Sequence, residues 1–190
     1  MRVGIASDHR GVHIKARLVQ TLLSHGYEVT DAGTNSVEPV DYPDYAIRVA
    51  AGIRDGHLDR GILICGTGIG MAIVANKFQG VRAAPCYDEV MVEMSRRHND
   101  VNVLCLPGDL IGERPIDELV LMWLRTNFES GRHLKRVRKI SSVESADRLD
   151  PEMDVATSCQ EETATKTGSA RNESSADPQS VRPHPLNTSS

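Results

Sequence analysis

Cys65 is followed by Gly66, Thr67, Gly68, Ile69 and Gly70, a thiol at the lip of a turn with three glycines in five residues. Glycines let the backbone take positive φ and come close to a ligand, and the first N–H groups of a following helix point back at such a turn. The stretch therefore reads as an anion pocket. The same N–H groups and dipole that hold an anion also stabilise a thiolate, so Cys65 is suited to work near neutral pH. Other residues with chemical capacity are Asp8 and His9, Tyr42 before Pro43, His98 with Asn99, and Arg132 with Arg136. The two arginines, four apart, share one side of a helix and can clamp one phosphate. Each also has a plainer use. Asp8 can cap a helix, His98 can sit favourably at a helix C-terminus, Tyr42 can simply pack, and residues 132–139 can be a solvated basic face. His9 and His13 are also four apart, but Gly11 lies between them and no third ligand is at hand, so no metal is expected.

These residues need elements to carry them. The run 61–65 is apolar and β-branched, as a buried strand of a parallel sheet should be. Arg2 to Ser7 reads as a first strand, and Val12 to Gly26 as a helix with Ile14, Leu18 and Leu22 on one face. Tyr27 to Asp31 is a second strand, and a helix starts at Pro43 with Ala46, Val49, Ala50 and Ile53 inward. Met71 to Lys77 continues the glycine turn as a helix. Val81 to Tyr87 is a fourth strand, which Pro85 places at an edge or a bulge. A helix over 88–97, a fifth strand over 101–106, and helices over 115–126 and 133–148 complete the pattern. Alternating strands and helices of this length imply right-handed crossovers. The expected fold is α/β, a three-layer αβα sandwich with a five-stranded parallel sheet of Rossmann-like type.

The formal net charge is −4, and residues 150–190 alone hold seven acids against three bases. The rest of the chain is close to neutral, which excludes an electrostatic footprint for nucleic acid or an anionic membrane. Residues 1–149 form the expected domain, and 150–190 an acidic, Ser/Thr-rich, disordered tail. No signal-peptide layout or spanning apolar run is seen, and the four cysteines show no paired spacing. A cytoplasmic protein with free thiols is the expectation.

Taken in order, Asp8 His9, Asp41 Tyr42 Pro43, Cys65 to Gly70 with Ala75 Asn76 Lys77, Ser95 Arg96 with His98 Asn99 Asp100, and Gly131 Arg132 His133 with Arg136 Val137 resemble the B-type ribose-5-phosphate isomerase family. That family includes galactose- and allose-6-phosphate isomerases. The resemblance implies interconversion of ribose 5-phosphate and ribulose 5-phosphate through an enediolate, with no metal or organic cofactor. It makes Cys65 the base between C1 and C2, with Thr67 beside the enediolate. It gives ring opening to His98, and hydroxyl protons or contacts to Asp8 and Tyr42. Phosphate falls to His9, Arg132 and Arg136, and the N–H groups of Gly66, Gly68, Ile69 and Gly70 receive the enediolate oxygens. Asn99 is carried over with His98 as a substrate contact. One departure stands out: the family often has an arginine after the fifth strand, where this chain has Asp109. That leaves a six-carbon sugar 6-phosphate as an alternative substrate.

A non-catalytic nucleotide or sugar-phosphate binding module is the rival of another class. Glycines 66, 68 and 70 miss the dinucleotide fingerprint by one residue, although Asp88 falls where a ribose-binding acid would. Topology adds one more expectation. Asp8 and Cys65 follow strands and so open at the carboxyl edge of the sheet, whereas His98 and Asn99 precede the fifth strand and belong to the opposite edge. A homodimer, or a dimer of dimers, with shared active sites brings them together.

Overall fold

The computed structural model describes residues 1–109 and 116–146, and all of them lie in one unit, Met1–Pro151. The tail expected over 150–190 is outside the described residues. The elements run β1 (Arg2–Ser7), α1 (Val12–Ser24), β2 (Glu28–Asp31), α2 (Tyr42–Arg54), β3 (Arg60–Cys65), α3 (Ile69–Ala75), β4 (Ala83–Pro85), α4 (Glu89–Asn99), β5 (Val103–Pro107), α5 (Ile116–Arg125) and α6 (Arg132–Ala146). The five strands form one sheet in the order β2-β1-β3-β5-β4, and every pairing is parallel. β4 is an edge strand and ends on Pro85, where a missing N–H costs the ladder least.

The pleat sends alternate residues to opposite faces and so divides the core in two. Val3, Ile5, Ile62, Ile64, Leu104 and Leu106 face one way, against Leu18 and Leu22 of α1 and Leu119, Val120 and Trp123 of α5. Ala6, Leu63, Cys65, Val103 and Cys105 face the other way, against Val49 and Ala50 of α2 and Met71, Ala72 and Ala75 of α3. Cys65 thus ends a strand on the face covered by α2 and α3.

Several boundaries shift, β4 most, from the expected 81–87 to Ala83–Pro85, and two shift for clear reasons. α3 begins at Ile69 rather than Met71, because Gly68 takes φ +78° and turns the chain directly into the helix. α4 carries His98 and Asn99 in its last turn and stops at Asp100, which adopts φ 48°. Among the described residues no helix is long and apolar enough to cross a membrane.

Leu18 is fully buried in the α1/α5 half of the core and far in sequence from the glycine turn. Leu18→Ala should lower unfolding free energy by about 2–5 kcal/mol, from lost transfer energy and the cavity left behind. Urea denaturation of both proteins checks this: the midpoint should fall with an unchanged slope.

Candidate active site

Three turns meet at the carboxyl edge of the central strands β1, β3 and β5. The turn after β1 is tied by the Asp8 N–H donating to the Ile64 carbonyl (3.1 Å), and the Asp8 side chain accepts from the Arg10 N–H (2.9 Å). The turn after β3 is tied to the loop after β5. Gly108 N–H donates to the Cys65 carbonyl (2.7 Å), and Asp109 N–H to the Gly66 carbonyl (3.2 Å). These bonds fix backbone carbonyls pointing away from the turn's interior.

Cys65 is 5% exposed, and its Sγ accepts the Gly68 N–H at 3.2 Å. Gly68 is required there. Besides its positive φ, a Cβ on it would lie 3.2 Å from backbone atoms of Cys105 and Leu106. Thr67 is exposed, its Oγ1 accepts from Ile69 N–H (3.3 Å), and its carbonyl accepts from the Tyr87 hydroxyl (3.1 Å). Of the N–H groups expected to receive substrate oxygens, those of Gly68 and Ile69 therefore already have partners inside the turn. Burial pushes Cys86 up to about 11 and Cys105 well above its ordinary value, so both stay protonated at neutral pH.

Tyr42 opens α2, and its ring lies across Gly70: a Cβ at Gly70 would be 2.6 to 2.8 Å from the ring and hydroxyl. His9 Nδ1 accepts the Val40 N–H (3.3 Å), so a neutral His9 carries its proton on Nε2. Asp8, His9, Tyr42 and the Cys65–Gly70 turn are thus assembled at one edge.

His98, Asn99, Arg132 and Arg136 are elsewhere. Cys65 is in register with Pro107, about 13 Å along β5 from Val103, and His98 and Asn99 come before that strand begins. They join α6 instead. The His98 ring stacks on His133 at 4.1 Å and 3°, and His133 is 4% exposed. Glu129 lies 3.7 Å from His98 Nε2 and 3.6 Å from His133 Nε2, and Arg97 bonds it. That guanidinium holds the Glu129 carboxyl below the usual range, while burial, helped by His98 and Arg132, pushes His133 down. His98, Glu129 and His133 have donor atoms within 4.8 Å of one another. Parallel rings aim their nitrogens side by side rather than at a common point, and Arg132 Nε donates to His133 Nε2 (3.3 Å). The cluster suits orienting His98 better than chelating a cation. Arg132 and Arg136 project from exposed positions one turn apart on α6.

A groove of about 800 Å³ also lies at this end, lined by Lys77, Phe78, Val81, Asn99, Ile140 and Val143 among others. Asn99 is its one link with the expected site. Asp88, the acid of the nucleotide-binding alternative, is spent as the N-cap of α4, accepting from Met91 N–H (2.8 Å).

The site also holds a pair that sequence reasoning missed. Asp109, standing where the resemblance led to an expected arginine, forms an ion pair with Arg10. No local pattern signals it, because the partners are nearly 100 positions apart.

Residues 3–140 match the family described as Ribose/Galactose Isomerase. Ribose-5-phosphate isomerase B of Escherichia coli (strain K12) is 43% identical over 143 residues, which are 75% of this chain and 96% of the relative. The solved ribose-5-phosphate isomerase B of Clostridium thermocellum superposes with a TM-score of 0.75 at 46% identity, over 77% of this chain and 99% of that one. The Mycoplasma genitalium ribose-5-phosphate isomerase B with bound ribulose-5-phosphate gives 0.73 at 38% identity, over 76% and 96%. The chain belongs to the ribose/galactose isomerase family. Within that family it groups with the B-type ribose-5-phosphate isomerases.

Gly68→Ala tests the turn. The left-handed backbone and the contact with β5 should together cost about 1–3 kcal/mol. A thermal melt and a turnover assay on the same preparation should both drop, and the loss of turnover should exceed that explained by unfolded protein.

Proposed function

We propose that this chain interconverts ribose 5-phosphate and ribulose 5-phosphate, with Cys65 as the base. The observation that carries the reading is the buried Cys65 Sγ held by the Gly68 N–H at the carboxyl edge, in a chain of this family. In the open-chain aldose the Cys65 thiolate takes the proton from C2, the C2–H electrons form the C1–C2 double bond, and the carbonyl electrons move onto O1. The thiol then returns the proton to C1, while the O2 proton is passed to O1 and C2 becomes the carbonyl. Backbone N–H groups of the glycine turn stabilise the negative oxygen as it develops. Asp8, Thr67 and Tyr42 serve the hydroxyl protons and contacts, and His9 serves the phosphate. The scheme uses only side chains, main chain and sugar.

Ring opening by His98, with Asn99, and the phosphate contacts of Arg132 and Arg136 then come from a second subunit in a two-fold dimer. Two observations support sharing. His98 is separated from Cys65 by the length of β5, beyond the reach of an imidazole. α2 leaves Ile47 exposed and α3, which follows the glycine turn, leaves Ile69 and Ile73 exposed, apolar side chains suited to a partner. The two-fold dimer is the commonest closed assembly. Family membership and buried free thiols favour a cytoplasmic setting.

A coupled assay over five- and six-carbon sugar phosphates tests the activity, with turnover expected on ribose 5-phosphate. Cys65→Ala should lose about 10²- to 10⁴-fold in kcat while retaining sugar-phosphate binding. Mixing Cys65→Ala with His98→Ala subunits tests sharing. Each heterodimer would own one intact site of two, so random mixing should restore about a quarter of wild-type activity. No recovery at full heterodimer formation would sink the shared site.

A further inference from the structure

The Arg10 guanidinium is built into the mouth of the thiol site, although no chemistry described above uses it. Its backbone is locked between the site's turns: Arg10 N–H donates to Asp8 (2.9 Å), and a Cβ on Gly108 would lie 3.0 Å from the Arg10 carbonyl. Its side chain lies over Gly66, the residue after Cys65. A Cβ there would sit 2.9 Å from Asp109 Oδ2 and 3.3 Å from Arg10 Nε. The ion pair with Asp109 leaves the Arg10 side chain 54% exposed and that of Asp109 34% exposed. An exposed pair of this kind adds little to stability. Asp109 occupies only part of a planar fork with five N–H donors, and such a fork fits phosphate two bonds at a time. Asp109 chiefly, with Asp8 and Cys65 adding, raises the Arg10 pKa and keeps it charged. His9, whose Nδ1 accepts the Val40 N–H, is the adjacent residue.

We propose that Arg10 is a phosphate ligand contributed by the subunit that carries Cys65, and that Asp109 is an internal carboxylate with which the substrate phosphate competes. The pair sets how tightly a phosphate dianion is held. It also accounts for the acid after β5: a guanidinium reaches the same volume from the turn after β1 instead. This assignment rests on the sugar-phosphate isomerase reading.

The test is steady-state kinetics on the full chain, with inorganic phosphate as a competitive inhibitor. Wild-type turnover of a sugar phosphate is established first, so failure of the isomerase reading shows before any variant is made. Arg10→Ala should raise both KM and the phosphate Ki by about tenfold or more, the loss of a charge-assisted bond, with KM affected more than kcat. Asp109→Asn, nearly isosteric, should lower the phosphate Ki several-fold by releasing the guanidinium. Arg10→Ala combined with Asp109→Arg should regain phosphate affinity, because the two side chains touch. A phosphate Ki unchanged in Arg10→Ala, or raised in Asp109→Asn, overturns the assignment. If Arg10→Ala fails to fold, Asp109→Asn decides alone.

Discussion

The contact on which the rest of this molecule depends is the fit of Gly68 against the backbone of β5. At φ +78° and with an added Cβ only 3.2 Å from backbone atoms of Cys105 and Leu106, the residue folds the chain from β3 into α3 within three positions. That sharp turn is what aims the Gly68 N–H at the Cys65 sulfur. The carbonyls of Cys65 and Gly66 are meanwhile drawn off by Gly108 and Asp109. Without the close approach, turn and thiol would be a loop and a buried cysteine. With it they form an edge whose N–H groups line the turn beside the sulfur while the carbonyls of Cys65 and Gly66 are tied to the loop after β5.

Much of this was legible in the chain. The apolar runs of β1, β3 and β5, Pro43 in the first turn of α2, and Pro85 at an edge all follow from local physics, since burial and a missing N–H act on neighbours. Cys65 and its glycines were legible for the same reason: the turn is written in consecutive residues. The opposite-edge placement of His98 followed from chain direction alone. The start of α3 two residues early was not foreseen, because it is decided by Gly68 meeting a strand some 40 positions away. Tyr42 across Gly70, His98 stacked on His133, and Arg10 paired with Asp109 were equally hidden. Each is a meeting of side chains from separate elements, and no periodicity encodes it.

The second half of the candidate site is organised by charge rather than by a turn. Arg96 is buried and donates to Asp100 (2.9 Å) and to the Thr126 carbonyl (3.3 Å), which ties the end of α4 to the segment after α5. Burial pulls its pKa down while Asp100 pulls it back up, so the ion is kept by its partner. Removing Asp100 would leave the buried guanidinium without its carboxylate, the costly direction, whereas Asp100 is partly exposed and keeps Arg82 as a second partner. One residue on, Arg97 and Glu129 form a more exposed pair beside the His98 ring. The imidazole of His98 stacks on His133, with the Glu129 carboxylate 3.7 Å from its Nε2.

β5 joins these two regions. Its first residues leave the Arg96–Asp100 knot, and its last ones lie under Gly68. A strand in the middle of a parallel sheet is among the least extensible parts of a protein, so the spacing between the imidazole and the sulfur is a ruler cut to a fixed length. In the proposed shared site symmetry bridges the two groups, and lengthening or shortening that strand by one residue would put every such site out of alignment together.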